Sequence, residues 1–179
     1  MSRTELYTLF AAVLEYPDAL FRDHASRLGA LLAQSDPVCF DVTGPFFAAL
    51  EAIDDGRLEE LYTSTFEVQG ICCLNVGYAV FGEDYKRGQY MAEIKVLCRD
   101  LGIPCGTELP DHLPNILRLI TKLNYGDASD LVELTVHPAL EKMLQSFTHP
   151  ENIYRSLLVG VQALLKQDFP LSQKEVAHV

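Results

Sequence analysis

Glu83-Asp84-Tyr85-Lys86-Arg87-Gly88-Gln89-Tyr90-Met91-Ala92-Glu93-Ile94-Lys95-Val96-Leu97-Cys98-Arg99-Asp100-Leu101 is the stretch that decides the fold class. Tyr90, Met91, Ile94, Leu97, Cys98 and Leu101 recur at helical spacing, while Glu93, Lys95, Arg99 and Asp100 take the opposite side. The two acids at its start suit the positive end of a helix. Gly88 inside the helix costs about 1 kcal/mol against Ala, which predicts close backbone approach by another element. Gly102-Ile103-Pro104-Cys105-Gly106-Thr107 follows without periodicity and is the expected hinge.

Helical spacing continues on both sides. Towards the N-terminus, helices are expected over Glu5–Glu15, from an Asp18 cap to Leu32, over Pro45–Ile53 and over Arg57–Phe66. Val68-Gln69-Gly70 interrupts, and Cys73–Phe81 reads as a buried apolar helix with Gly82 as its C-cap. Towards the C-terminus, one helix opens at Asp111 or His112 and runs to Leu123. A second covers Ala128–Phe147 and restarts at Pro138, and the last starts at Pro150 and runs to Lys166. The expected fold is all-α: a single helical bundle of about eight or nine helices over residues 1–169. Lobes 1–101 and 107–169 would join at a hinge over 102–106, with a flexible tail over 170–179.

The chain has 179 residues, 49% apolar and 22% charged, a composition that supports a packed core. Its 25 acids and 14 Lys and Arg give a net charge of −11. Fourteen of the acids but only four bases (Arg3, Arg22, Arg27, Arg57) fall in residues 1–85. An acidic front half attracts cationic ligands or basic peptides and repels nucleic acid and anionic lipid. No secretory signal or membrane-length apolar run is visible, so a soluble cytoplasmic protein without membrane insertion is expected. The five cysteines include no CxxC pair, and no two histidines are four apart, which argues against a zinc or iron–sulfur site. Cys98 is expected in the core, and adjacent Cys72 and Cys73 as reduced thiols. GxSxG, P-loop and GxGxxG motifs are absent, which favours a binding protein over an enzyme.

Three groups stand out. In Leu61-Tyr62-Thr63-Ser64-Thr65-Phe66-Glu67, Tyr62 and Phe66 share a helix face, with an acid at the rim. In Phe81-Gly82-Glu83-Asp84-Tyr85-Lys86-Arg87-Gly88, two acids lead directly into two bases. In Glu108-Leu109-Pro110-Asp111-His112-Leu113-Pro114, Asp111 is a candidate helix cap and Pro114 fits the first turn. The positive helix end and the neighbouring carboxylate pull the His112 pKa in opposite directions.

Taken in order, these groups resemble the TorD/DmsD/NarJ family of assembly chaperones for molybdenum oxidoreductases. The likeness covers Leu61 to Leu117, about a third of the chain. The Glu-Leu-Pro-Asp-x-Leu-Pro form is most similar to the nitrate reductase branch, and the Asp111-His112 pair to the TorD/DmsD branch, so the client enzyme stays open. The resemblance implies an all-helical cytoplasmic protein with no cofactor of its own. It implies binding of the N-terminal peptide of a molybdopterin catalytic subunit, often a twin-arginine signal, until the molybdenum cofactor is inserted. Some members form domain-swapped dimers, so a monomer or an exchanged homodimer is implied. On this expectation Tyr62, Phe66 and Leu113 line an apolar groove, and Glu67, Glu108 and Asp111 meet the cationic part of the peptide. His112 orients Asp111 or a peptide carbonyl. Asp84, Arg87 and Pro110 belong to the same matched motifs. The competing expectations are a permanent helical subunit of a redox complex and a nucleotide-dependent enzyme acting at Asp111-His112.

Overall fold

Aspartate and asparagine divide this chain into helices. Side chains of Asp36, Asp54, Asp84, Asn124 and Asn152 each accept a backbone N–H at the head of a helix, satisfying one of its orphan donors. A computed structural model describes residues 3–67 and 70–171. Its α-helices are α1 Arg3–Val13, α2 Phe21–Ser35, α3 Pro37–Ala52, α4 Asp55–Phe66 and α5 Val76–Phe81. They continue with α6 Tyr85–Asp100, α7 Leu113–Ile120, α8 Tyr125–Leu131, α9 His137–Gln145 and α10 Ile153–Asp168. A π-helical turn, Val132–Val136, joins α8 to α9. Among the described residues there is no strand, only an isolated antiparallel bridge between Asn75 and His112, and the fold is all-α. The expected interruption at Val68-Gln69 and the tail beyond Leu171 lie outside the described residues.

Several expected boundaries move. The third helix begins at Pro37, not Pro45, and Pro45 lies inside it. The expected Cys73–Phe81 helix is helical only from Val76; residues 71–75 lead into it as non-helical chain. Gly82 does end α5, at φ 64°. The expected restart at Pro138 is present: α9 begins at His137 with Pro138 in its first turn. Pro138 cannot donate to the carbonyl four residues back, and the preceding turn widens so that His137 N–H reaches the Val132 carbonyl. Asn152, not Pro150, heads the last helix. A Cβ at Gly88 would meet nothing within 4 Å, so the expected close approach there is absent.

The core forms where α10 lies along α3 and where α1 sits between α2 and α7. Gly160 permits the first contact: a Cβ there would run into Thr43 Oγ1 and come within 3.2 Å of the Phe10 ring. Helices from either side of residues 102–106 therefore share one core. Arg3, paired with Asp36 at 2.7 Å and Asp168 at 3.0 Å, ties the start of α1 to the head of α3 and the end of α10. No helix among the described residues is long and apolar enough to cross a membrane.

Candidate functional site

A cleft of about 480 Å³ opens between the end of α1, the start of α2, α4, the loop after α6 and the head of α7. Its lining includes Glu15, Tyr16, Asp18, His24, Tyr62, Glu108, His112, Asn115 and Arg118. The back wall is aromatic. Tyr62 is buried, and its ring meets Tyr16 edge-on at 5.4 Å, Phe66 at 5.1 Å and Tyr154 at 5.7 Å. The Tyr62 hydroxyl donates to the Leu14 carbonyl at 3.2 Å. Burial raises its pKa, as do the nearby Glu108, Glu67 and Glu15 carboxylates, so the phenol stays neutral. Tyr16 is 48% exposed and stands at the mouth, where its hydroxyl donates to Glu59 at 3.3 Å.

The rim is acidic. Arg118 makes a two-pronged ion pair with Glu15, both contacts at 2.8 Å. Asp18 and Glu108 complete a rim of three carboxylates and one guanidinium. A shallow depression lined by Glu59 and Glu60 shares Tyr16 and extends the groove along α4. The loop wall is pinned by Asn115, which is buried and donates to the Leu109 carbonyl at 3.1 Å and the Cys105 carbonyl at 3.4 Å.

The third sequence group is split by its backbone. Leu113 N–H donates to the Leu74 carbonyl and Val76 N–H to the Asp111 carbonyl, both at 2.8 Å, so residues 111–113 run extended against 74–76. Asp111 and Leu113 are fully buried, while His112 lines the cleft. Asp111 accepts from Arg87 Nε at 3.1 Å and Asn75 Nδ2 at 2.9 Å. Gly77 makes room for that carboxylate, since a Cβ there would lie 2.8 Å from Asp111 Oδ2. The Arg87 guanidinium also covers the Tyr78 ring at 5.3 Å.

Asp111 is therefore neither a helix cap nor exposed to a peptide cation. It holds the second and third groups together inside the protein. Leu113 is likewise core. His112 does not orient Asp111: Arg87 and Asn75 do so, and His112 Nδ1 is buried with no partner. Burial lowers the His112 pKa, more than Glu108, Glu15 and Asp111 raise it, and Arg118 adds to the lowering. Tyr62, Glu108 and His112 meet in the cleft. Phe66 lies half-buried behind Tyr62 against Tyr154, and Glu67 is exposed at the end of α4. Asp84 caps α6, and Pro110 is half-buried; neither lines the cleft.

Glu15, Tyr16, Asp18, Asn115 and Arg118 were not anticipated from sequence. Only Asn115 carried a signal: an amide on the apolar stripe of Leu113, Ile116, Leu117 and Ile120 must find buried partners. Among the described residues, no group of three or more His, Cys, Asp or Glu is placed to hold a metal ion.

Known proteins share this architecture. No family model matches the chain. The nitrate reductase molybdenum cofactor assembly chaperone NarJ of Escherichia coli K12 is 27% identical over 124 residues, covering 67% of this chain and 52% of that protein. NarJ of Escherichia coli O157:H7 matches to the same extent. The crystal structure of a candidate redox enzyme maturation protein from Archaeoglobus fulgidus superposes with a TM-score of 0.65 at 20% identity, over 93% of this chain and 95% of that one. The solved structure shares the all-α fold of this chain, and the NarJ proteins are similar to it in sequence. The chain spans about half the length of the NarJ proteins it matches. The motifs that suggested the NarJ/TorD likeness build the α5–α7 junction and one wall of the cleft.

Proposed function

We propose that this chain is a cytoplasmic, non-catalytic assembly chaperone that holds the N-terminal peptide of a molybdenum oxidoreductase catalytic subunit while that subunit receives its cofactor. The observation that carries the reading is the cleft, an aromatic wall of Tyr16 and Tyr62 beneath a rim of Glu15, Asp18 and Glu108. A leader peptide, basic at one end and apolar beyond, is its chemical complement. The rings desolvate the apolar segment, and the carboxylates steer and anchor the basic one. NarJ, the relative in Escherichia coli, is named for molybdenum cofactor assembly of nitrate reductase, which makes such a subunit the partner to test first.

Calorimetric titration with synthetic N-terminal peptides of molybdoenzyme catalytic subunits tests this. Tyr16→Ala and Glu108→Gln, both at exposed positions, are expected to weaken binding about tenfold each, roughly 1.4 kcal/mol. Wild-type affinity in both variants overturns the cleft assignment. Co-purification in fixed proportion with the mature enzyme would instead identify a permanent subunit.

A further inference from the structure

Arg118 brings a guanidinium into the acidic cleft, and that guanidinium is already engaged. Nη1 and Nη2 each donate to a different oxygen of Glu15, both at 2.8 Å, and among the described residues Glu15 is the one hydrogen-bond partner of this side chain. We propose that Arg118 determines specificity in the cleft: it occupies Glu15 as an internal stand-in for a peptide cation, and so sets how much positive charge a leader must carry to be held. This role rests on the function proposed above and names the feature of the peptide that the cleft reads.

The geometry fits a stand-in better than a structural tie. Two parallel N–H···O bonds are what a carboxylate offers to any incoming guanidinium, so the pair uses up the contacts a basic peptide would seek on Glu15. Both members also reach water. Their side chains are 24% and 41% exposed, against 21% and 0% for Arg87 and Asp111. An ion pair this open contributes little to stability and can exchange partners without stranding a buried charge. Arg22 shows the contrast within the same chain. Its guanidinium is spent on Asp55 and on the Leu50 and Ile53 carbonyls, which tie α2 to the end of α3 and the start of α4.

The other rim carboxylates are less committed. Asp18 accepts the Leu20 N–H at 2.9 Å through one oxygen, and Glu108 is exposed, with no hydrogen bond or ion pair among the described residues. The first cation of a leader therefore meets Glu108 or Asp18 unopposed. A further cation must compete with Arg118 for Glu15, and until it succeeds it is repelled by a like charge in the same cleft.

Calorimetric titration of the full chain with a pair of synthetic peptides tests this. One is the N-terminal peptide of a molybdoenzyme catalytic subunit, and the other is a copy with every Lys and Arg replaced by Gln. The readout is the ratio of their affinities, because damage to the fold weakens both peptides and does not raise this ratio. Arg118→Met keeps the aliphatic stem and removes the charge, and the preference for the basic peptide is expected to rise about tenfold. Arg118→Gln should raise it likewise, whereas Arg118→Lys, which keeps a cation beside Glu15, should stay within about twofold of the wild type. Glu15→Gln combined with Arg118→Met removes occupant and site together and should return the preference to its wild-type value. An unchanged or lower preference in both Arg118→Met and Arg118→Gln overturns the proposal. So does a rise that survives Glu15→Gln or appears equally in Arg118→Lys. If the wild-type chain binds the basic peptide while the preference stays flat across the variants, the proposed function stands and the role of Arg118 falls. If neither peptide binds the wild-type chain, the proposed function fails and the role of Arg118 falls with it.

Discussion

Replacing Arg87 with Met tests whether Asp111 is the internal tie described here. The Asp111 side chain is 0% exposed, and Arg87 is its one cationic partner among the described residues, at 3.1 Å. Met keeps most of the aliphatic stem and removes the guanidinium. The carboxylate then retains only the Asn75 amide at 2.9 Å. Stranding one member of a buried pair costs about 3–5 kcal/mol, and the 21% exposure of Arg87 places this case near the lower end. A loss of about 3 kcal/mol in a chain this long lowers Tm by about 6–12 °C.

The interaction is isolated by a double-mutant cycle. Asp111→Asn removes the charge at nearly constant shape and can still accept from Asn75. Arg87→Met with Asp111→Asn should therefore recover much of the single-variant loss, with a coupling energy of about 2 kcal/mol. Urea titrations followed by far-UV ellipticity read each corner of the cycle. Coupling below about 0.5 kcal/mol would refute the buried pair. Because Arg87 lies outside the cleft, any loss of peptide affinity in Arg87→Met should accompany its loss of stability. A tenfold loss of affinity at wild-type stability would return Arg87 to the peptide surface.

Three glycines give further expectations for the same urea assay. Gly160→Ala drives a Cβ against Thr43 and Phe10 at the α3–α10 contact and should cost about 2–3 kcal/mol; Thr43→Ala in the same chain should restore part of it. Gly77→Ala, 2.8 Å from Asp111 Oδ2 and 2.9 Å from the Tyr90 ring, should cost about 1–3 kcal/mol. Gly88→Ala meets open space within α6 and should stabilise by about 0.5–1 kcal/mol. The His112 pKa is lowered in the fold, so the unfolded chain binds the extra proton more readily. Its contribution is complete above the ordinary histidine value of 6.5 and is lost as pH falls below that value. Urea midpoints of the wild type and of His112→Gln, measured from pH 7.5 down to 5, should therefore converge on acidification; parallel curves would contradict this.

The helices were legible because their signals are local. Asp54 and Asp84 precede periodic apolar runs, and Gly82 follows one, so α4, α5 and α6 start or stop near where pattern places them. Two boundaries failed for physical reasons. Pro45 looks like a start because proline lacks a donor, yet a helix already begun at Pro37 carries it. Ile71 to Phe81 is apolar at nearly every position, and such a run has no period to separate extended chain from helix. The cleft was legible only in part. Tyr62, Glu108 and His112 came from motifs, but the Glu15–Arg118 pair joins residues 103 apart in the chain, and no local rule links them. Asp111 misled for a related reason. Its place before Pro114 fits a cap, while its actual partners, Asn75 and Arg87, are 36 and 24 residues away.

The alternation across residues 111–113 explains why structural and surface roles sit side by side in one short motif. Extended backbone sends successive side chains to opposite faces, and His112 is extended, at φ −64° and ψ 131°. The bridge to Asn75 fixes which face is which. Asp111 and Leu113 turn into the α5–α7 junction, and His112 turns into the cleft. A slip of one residue would place an imidazole against Arg87 and a carboxylate in the aromatic wall, so neither role survives without the register. Peptide binding can therefore depend on Asp111 without any peptide touching it. The buried ion pair sets the register, and the register sets where His112 stands and where Glu108, earlier in the same turn, meets solvent. A variant at Asp111 that loses binding and stability together is what this geometry requires. Loss of binding with full stability is reserved for Tyr16 and Glu108, whose side chains face the cleft and contribute little to the core.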